Sequence, residues 1–240
     1  MPFTFSHPAL VLPLAYLRKQ WFSLTGLVIG SLTPDFEYFL RMRSEGRYGH
    51  TIGGIFWFDL PLGLLLVFIF HNIVRNSLFD NLPFFLKSRF SAVRRFDWNE
   101  YFKKNWPTVI VSIIIGAISH ILWDGFTHRY GYFVGIIPTL ANEINFFDTQ
   151  IPIFKILQHV STVIGGIVII FAIYKLPIAC RETESVSVKY WMIVIGITLS
   201  VVGIRVLCGL DVRQYGDVIV TGISAGLISL ILTPLLIRTK

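Results

Sequence analysis

Five long apolar stretches constrain this chain of 240 residues more than any other feature of its sequence. Each stretch is close to the ~20 residues that a helix needs to cross a hydrocarbon core of ~30 Å. Helices are expected because the interior of a bilayer offers no partner for exposed backbone N–H and C=O groups. The stretches cover approximately residues 52–73, 107–123, 153–174, 190–207 and 218–237.

The composition agrees with lipid as the main solvent of the chain. Apolar residues make up 54% of the sequence and charged residues only 15%, whereas about a quarter of a soluble domain is charged. So few charges cannot cover a surface that faces water. The sequence therefore predicts an all-α, polytopic membrane helical bundle, with residues 1–240 forming a single membrane-embedded domain.

The first 48 residues differ from the rest because their apolar stretches are short. Residues 8–17 and 21–32 are apolar, and Arg18 and Lys19 separate them. Each stretch is too short to cross a bilayer comfortably alone. We expect residues 1–48 to form an N-terminal helical hairpin that either spans or re-enters the membrane.

The connection over residues 75–106 mixes cations with aromatic residues, which favours an amphipathic segment at the headgroup layer. Counted from residue 50 onward, alternating spans place twelve Lys and Arg residues on the side of this loop and four on the other. By the positive-inside rule, the loop is predicted to be cytoplasmic. The twelve are Arg75, Lys87, Arg89, Arg94, Arg95, Lys103, Lys104, Lys175, Arg181, Lys189, Arg238 and Lys240.

The net charge of +7 fits an anionic membrane surface better than nucleic acid, because the basic residues lie between apolar stretches. The expected partners are therefore membrane lipids and a lipid or lipid-linked substrate, and no nucleic acid.

Three ionisable residues in the segment SHILWDGFTH carry the clearest chemical signal. His120, Asp124 and His128 are spaced four residues apart, so they share one face of a helix. His and Asp at this spacing can chelate one cation. The alternatives are a group at a helix end that contacts headgroups, or a simple hydrogen-bonded His120–Asp124 pair.

The other candidates are ambiguous when each is taken alone. Asp35 follows a proline and could cap a helix. Glu37 lies two residues later. His71 lies near the end of its span and is predicted to contact headgroups. Topology brings three candidate positions together: His50 precedes one span, Asp124 and His128 end the next, and His159 lies two turns inside the third. All would lie at the non-cytoplasmic side, which predicts a zinc-type site with His and Asp ligands.

Three segments resemble the domain of unknown function 4184 family: MPFTFSHPALVLPL, GSLTPDFEYFLR and SHILWDGFTH. The resemblance covers nearly the whole chain. More distantly, the sequence is similar to YdjM-like membrane-bound metal-dependent hydrolases. They share a PD turn, a later His before a span, and a His-x3-Asp helix.

The order of the polar residues is also similar to that of zinc-dependent phospholipases C, which are soluble helical phosphodiesterases with three zinc ions. The similarity implies that Asp35 is a bridging carboxylate and a base. Two departures favour one or two ions within the range of one to three: the chain begins with Met1 instead of a metal-binding tryptophan, and Val163 replaces the expected Glu. The implied metal ligands are His7, Asp35, His50, His120, Asp124, His128 and His159.

These observations predict a metal-dependent hydrolase of a phosphoester in a lipid or lipid-linked substrate. The cofactor would be a divalent metal of the zinc type, and Asp35 or Glu37 would accept the proton. Two alternatives stay open. A cation or proton transporter would use the same residues along a passage, and a structural membrane protein would use them only to hold helices together.

Overall fold

The computed structural model describes residues 3–17, 21–94, 96–147, 149–178 and 186–237. Several basic residues on which the predicted topology depends lie outside these ranges. They are Arg18, Lys19, Arg95, Arg181, Arg238 and Lys240.

The N-terminal region forms three short helices: α1 (Pro8–Leu17), α2 (Leu24–Gly30) and α3 (Thr33–Arg41). Helices α1 and α2 pack against each other, as expected for the hairpin. Ser23 caps α2 by accepting a hydrogen bond from the Gly26 N–H. With seven to ten residues, none of the three is long enough to cross a bilayer, because each residue adds only ~1.5 Å of rise.

Within the described residues, five helices are long and apolar enough to cross a membrane, which confirms the all-α multi-pass fold. Shorter elements lie between these long helices. They are the helices α5 (Phe84–Phe90) and α7 (Tyr132–Ile136) and one antiparallel hairpin of β1 (Glu143–Phe146) with β2 (Thr149–Pro152). The five long helices are α4 (Ile52–Asp80), α6 (Trp98–Thr127), α8 (Ile153–Tyr174), α9 (Val188–Leu207) and α10 (Tyr215–Leu236).

The predicted interfacial connection over residues 75–106 is mostly helical. Its first residues extend α4, α5 follows, and its last residues form the start of α6. Phe84 and Phe85 are about half exposed, in keeping with an amphipathic segment. Its orientation relative to the two sides of a membrane stays a prediction.

The two N-terminal spans depart from regular α-helix. Helix α4 contains π-helical turns at Ile55–Asp59 and Phe70–Val74. Helix α6 bends at Asn105, whose backbone is non-helical. Pro107 explains the bend, because it lacks an N–H and its ring crowds the preceding turn.

The described residues divide into two compact units, each built from three separate stretches of the chain. The first unit comprises Met1–Asp35, Tyr48–Leu64 and Asn105–Ala172, and the second comprises Phe36–Arg47, Leu65–Lys104 and Ile173–Lys240. Neither unit is contiguous in sequence, and the single-domain organisation stays a prediction. The first unit contains every predicted site residue except Glu37.

Close backbone contact between α2 and α6 organises the first unit. A Cβ on Gly30 would lie 2.2 Å from the carbonyl oxygen of Ile113, and one on Gly116 would lie 2.5 Å from that of Leu27. Small residues permit such approach between membrane helices. The contact places the carbonyl end of α2 beside the part of α6 that carries His120.

In the second unit, α9 packs along α10, and α10 holds α3 through Ser224, whose hydroxyl donates to the Phe39 carbonyl at 2.8 Å. His71 does not contact headgroups as predicted. It is buried and stacks on Trp98 with ring centroids 4.4 Å apart. The ring of Trp98 covers the imidazole, which explains the difference.

Candidate metal centre

Four side chains from three segments of the first unit converge on one point. Asp35 comes from the first turn of α3, His50 from the loop before α4, and His120 and Asp124 from successive turns of α6. One ligand atom from each residue lies within 4.8 Å of the others. The chain therefore contains the expected His and Asp group that could hold a metal ion.

The distances inside this cluster match those around a single tetrahedral ion. His50 Nε2 and His120 Nε2 each lie 3.4 Å from Asp35 Oδ1 and 3.4 Å from Asp124 Oδ2. Ligands at ~2.0–2.1 Å from a tetrahedral zinc ion are about 3.4 Å apart, because the edge of a tetrahedron is about 1.6 times its centre-to-corner distance. Four of the six edges thus have the required length.

Several buried polar atoms of Asp35, His120 and Asp124 have no hydrogen-bond partner among the described residues. Asp35 and His120 are fully buried and Asp124 is 6% exposed. Within the described part of the chain, Asp35 Oδ1, His120 Nε2 and both carboxylate oxygens of Asp124 make no hydrogen bond. Burying two carboxylates and an imidazole in this way is costly unless a cation offsets the charge. The donor set fits a divalent metal ion.

Neighbouring groups fix the orientation of two ligands. The Nδ1–H of His120 donates to the carbonyl oxygen of Ser31 at 2.7 Å, so in the neutral ring the lone pair is on Nε2, which faces the cluster. The hydroxyl of Thr4 donates to Asp35 Oδ2, so Oδ1 is the oxygen that meets the two histidines. Contacts of this kind set the tautomer and orientation of metal ligands.

His50 is positioned by the glycine that precedes it. A Cβ on Gly49 would lie 2.4 Å from the carbonyl oxygen of Pro34, so only glycine allows the loop to approach the start of α3 this closely. Burial acts to lower the pKa of His50, but Asp124 and Asp35 outweigh it and raise the pKa to about 8. The carboxylates thus favour a positive charge at this position.

Two further predicted ligands surround the other oxygen of Asp124. His7 Nε2 lies 3.5 Å and His128 Nδ1 3.6 Å from Asp124 Oδ1. The ring of His7 stacks on His120 with centroids 3.7 Å apart, and His128 Nδ1 donates to the Asp124 carbonyl at 3.0 Å. The structure therefore groups six of the seven predicted ligands.

Two predicted site residues lie outside the cluster. His159 is exposed on α8. Glu37 lies in the second unit, where its Oε1 accepts hydrogen bonds from Arg41 Nε at 2.9 Å and the backbone N–H of Arg47 at 2.8 Å. The ligand role of His159 and the catalytic role of Glu37 stay predictions.

Sequence reasoning missed the two groups that orient the ligands, Thr4 and the Ser31 carbonyl. The spacing of Gly26 and Gly30, with three residues between them, is a signal that could have indicated close helix contact. It would have directed attention to the carbonyls at the end of α2. The role of Thr4 has no comparable signal, since a hydroxyl near Asp35 follows only from the tertiary fold.

Comparison with known proteins supports one of the three resemblances. The model of the domain of unknown function family DUF4184 matches residues 1–235. Neither a curated protein nor a solved structure matches the chain. The similarities to YdjM-like hydrolases and to phospholipases C stay expectations. The family match covers almost the full length, including every residue of the cluster, and the chain belongs to the DUF4184 family.

Proposed function

We propose that this chain is a membrane-embedded, metal-dependent hydrolase that cleaves a phosphoester in a lipid or lipid-linked substrate. The observation that carries the proposal is the cluster of Asp35, His50, His120 and Asp124, whose buried ligand atoms are separated by the edge lengths of a metal tetrahedron. A divalent ion of the zinc type fits the nitrogen and oxygen donors. His7, whose Nε2 lies 3.5 Å from Asp124 Oδ1, would be one ligand of a second ion there, whereas His128 could bind it only through Nε2, because its Nδ1–H donates to the Asp124 carbonyl.

The chain's own residues supply the conditions for hydrolysis. When bound, the metal would polarise the phosphoryl oxygen and lower the pKa of a coordinated water. Burial acts to raise the pKa of Asp35, but His120 and His50 hold it below its usual range. The carboxylate is therefore ionised, which is the form that binds a metal ion. His50, with 26% of its side chain exposed, marks the side from which water reaches the cluster.

The position of the cluster supports a substrate at the membrane surface. Asp124 is three residues from the end of α6 at Thr127, which corresponds to about 5 Å along the helix. A headgroup phosphate could reach this depth without crossing the hydrocarbon core. The compact cluster also favours an enzyme over a transporter, whose ligands would be spread along a passage.

One observation favours a second candidate function. Four protein ligands around one tetrahedral ion are typical of structural zinc sites, whereas catalytic sites keep a position open. A structural metal site would join the N-terminal helices to α6 without any reaction. The enzyme requires that a ligand be released or that the ion take a fifth ligand, as zinc does in some transition states.

Metal analysis and hydrolysis of the purified, detergent-solubilised protein test these candidates together. The enzyme predicts bound metal and chelator-sensitive hydrolysis of bis(p-nitrophenyl) phosphate above background, both lost in Asp124→Asn. Asp211→Asn is the matched control, because Asp211 is exposed outside the spans. Bound metal without hydrolysis of phosphoester or amide substrates supports the structural site. If the protein holds no metal and hydrolyses no substrate, the enzyme hypothesis is wrong and a transporter or a structural protein is favoured.

We also propose that the loop over residues 75–106 is cytoplasmic and that the cluster lies near the opposite face. Ser91 lies within that loop, and Asn142 lies between α7 and α8. Single cysteines at these positions should react differently with an impermeant thiol reagent in intact cells. Position 142 should be labelled and position 91 protected, and the reverse pattern would overturn the orientation.

A further inference from the structure

An apolar groove of about 330 Å³ runs beside the cluster in the first unit. Its largest wall is a stripe of α8, and the start of α1 and Trp123 of α6 complete it. The α8 stripe consists of Leu157, Val160, Ser161, Ile164, Gly165 and Val168. These positions recur every three or four residues, so they form one continuous face of the helix.

The start of the chain contacts α8 around Thr162 and Gly165, next to this stripe. A Cβ on Gly165 would lie 2.8 Å from Ser6 Cβ, and the Ser6 hydroxyl donates to the Thr162 carbonyl at 3.0 Å. Val160 and Ile164 beside this contact are about half exposed. The apolar face therefore stays accessible next to a firmly held N-terminal turn.

The dimensions of the groove fit one lipid chain. From Leu157 to Val168 the stripe extends about 16 Å along α8, at ~1.5 Å per residue. One leaflet accounts for half of a ~30 Å hydrocarbon core, or about 15 Å. A groove that follows a spanning helix for this distance has the length and direction of an acyl chain in a leaflet.

His7 joins the groove to the metal cluster. Its side chain lines the groove, is 2% exposed and lies 3.5 Å from Asp124 Oδ1. Neither ring nitrogen of His7 has a hydrogen-bond partner among the described residues. A ligand in the groove would thus have apolar contacts along α8 and a polar group at the end nearest the carboxylates.

We propose that this groove binds one acyl chain of a lipid whose phosphoester lies at the Asp35–His50–His120–Asp124 cluster. The inference rests on the proposed function, because it assigns the substrate of that same site to the lipid class and names the surface that recognises its chain. Trp123, Val160 and Ile164 would then discriminate long-chain substrates from soluble phosphoesters with the same bond.

The test fills the groove without touching the cluster. Ile164→Trp adds bulk to the stripe, and Ile170→Trp is the matched control, because Ile170 is an equally apolar, exposed residue of the same helix that does not line the groove. The first readout is crosslinking of a phospholipid with a photoreactive group in one acyl chain, added at stoichiometric amounts in excess detergent. Crosslinks should map to Leu157–Val168 and fall about tenfold or more in Ile164→Trp only.

The second readout separates failure of the groove from failure of the enzyme. Hydrolysis of a long-chain phosphodiester lipid should fall about tenfold or more in Ile164→Trp, while hydrolysis of bis(p-nitrophenyl) phosphate and metal content stay unchanged. Equal loss of both activities, or crosslinks spread evenly around α8, would overturn the groove. Localised crosslinks in a protein that hydrolyses neither substrate would support the groove and overturn the proposed enzyme.

Discussion

Two buried histidines, one in each unit, occupy opposite chemical environments. His71 in the second unit accepts a hydrogen bond from Arg75 Nη1 at 2.9 Å and stacks on Trp98. Arg75 in turn donates to the carbonyl of Phe96 at 2.8 Å. His120 in the first unit has one nitrogen bound to a carbonyl, and its other nitrogen faces two carboxylates without a hydrogen bond.

The difference shows that burial alone does not identify a ligand. Both histidines lie on long apolar helices, and both are costly to bury. Hydrogen bonds and ring stacking offset the cost for His71, which makes it a packing residue. For His120, whose free nitrogen lies 3.4 Å from two carboxylate oxygens, either a bound metal ion or a proton on the ring must offset the cost, and this makes its surroundings the candidate metal centre. Four substitutions test the contrast.

Asp124→Asn should have the largest effect, because it removes a charge that would offset the cation while keeping the volume of the side chain. We expect metal affinity to fall by more than about 100-fold, beyond the 10- to 100-fold typical of partners that only orient ligands. Metal content measured after gel filtration checks this. Full metal occupancy in the variant would show that Asp124 is not a metal ligand. The control Asp211→Asn should retain the metal.

Gly30→Ala tests whether the contact between α2 and α6 supports the centre. The added Cβ meets the Ile113 carbonyl at 2.2 Å, so the helices must separate, at a cost of about 1–3 kcal/mol in the free energy of unfolding. Thermal unfolding in detergent measures the loss. Gly166→Ala is the control, because its Cβ would meet no atom within 4 Å, and an equal loss there would argue against helix contact as the cause.

Thr4→Val should weaken the metal site without unfolding the protein. The change removes the hydroxyl that holds Asp35 Oδ2 and keeps the shape of the side chain, so metal affinity should fall about tenfold. Competition with a chromogenic chelator measures the affinity. Thr4→Ser keeps the hydroxyl and should restore most of the affinity, and a variant pair with equal affinities would show that Thr4 does not orient Asp35.

His71→Phe should have the smallest effect, limited to stability. The phenyl ring keeps the stacking on Trp98, but it cannot accept the hydrogen bond that Arg75 donates to His71 Nδ1. We expect the free energy of unfolding to fall by about 1 kcal/mol. Thermal unfolding should show this decrease while metal content stays at the wild-type level. Loss of metal in this variant would mean that the two histidines do not differ in the way proposed.

The sequence predicted the features that depend on local pattern. Spans such as Ile153–Tyr174 follow directly from apolar runs, and the shared helical face of His120 and Asp124 follows from their spacing. It did not predict the β1–β2 hairpin, whose four-residue strands carry little periodic signal. Polar turns also extended α4 and α6 beyond their apolar cores, because a helix can continue into a headgroup layer.

Tertiary contacts account for what was missed in the site. Asp35 and Asp124 are distant in sequence, and their convergence depends on glycine contacts between α2 and α6. The exposure of His159 was equally hidden, because a place in an apolar run does not indicate which face of a helix turns inward. Motif order identified the residues that converge but not the groups that orient them.

The carbonyl at the end of α2 restricts which residues can replace His120. Helix α2 has only seven residues and is too short to cross a bilayer, so the carbonyl groups at its end need hydrogen-bond donors from other elements. The Ser31 carbonyl receives its hydrogen bond from the same imidazole that faces the carboxylates. A descendant that lost its metal would still need a donor at position 120. Asparagine or glutamine should therefore be accepted there before leucine, although none of the three completes the centre.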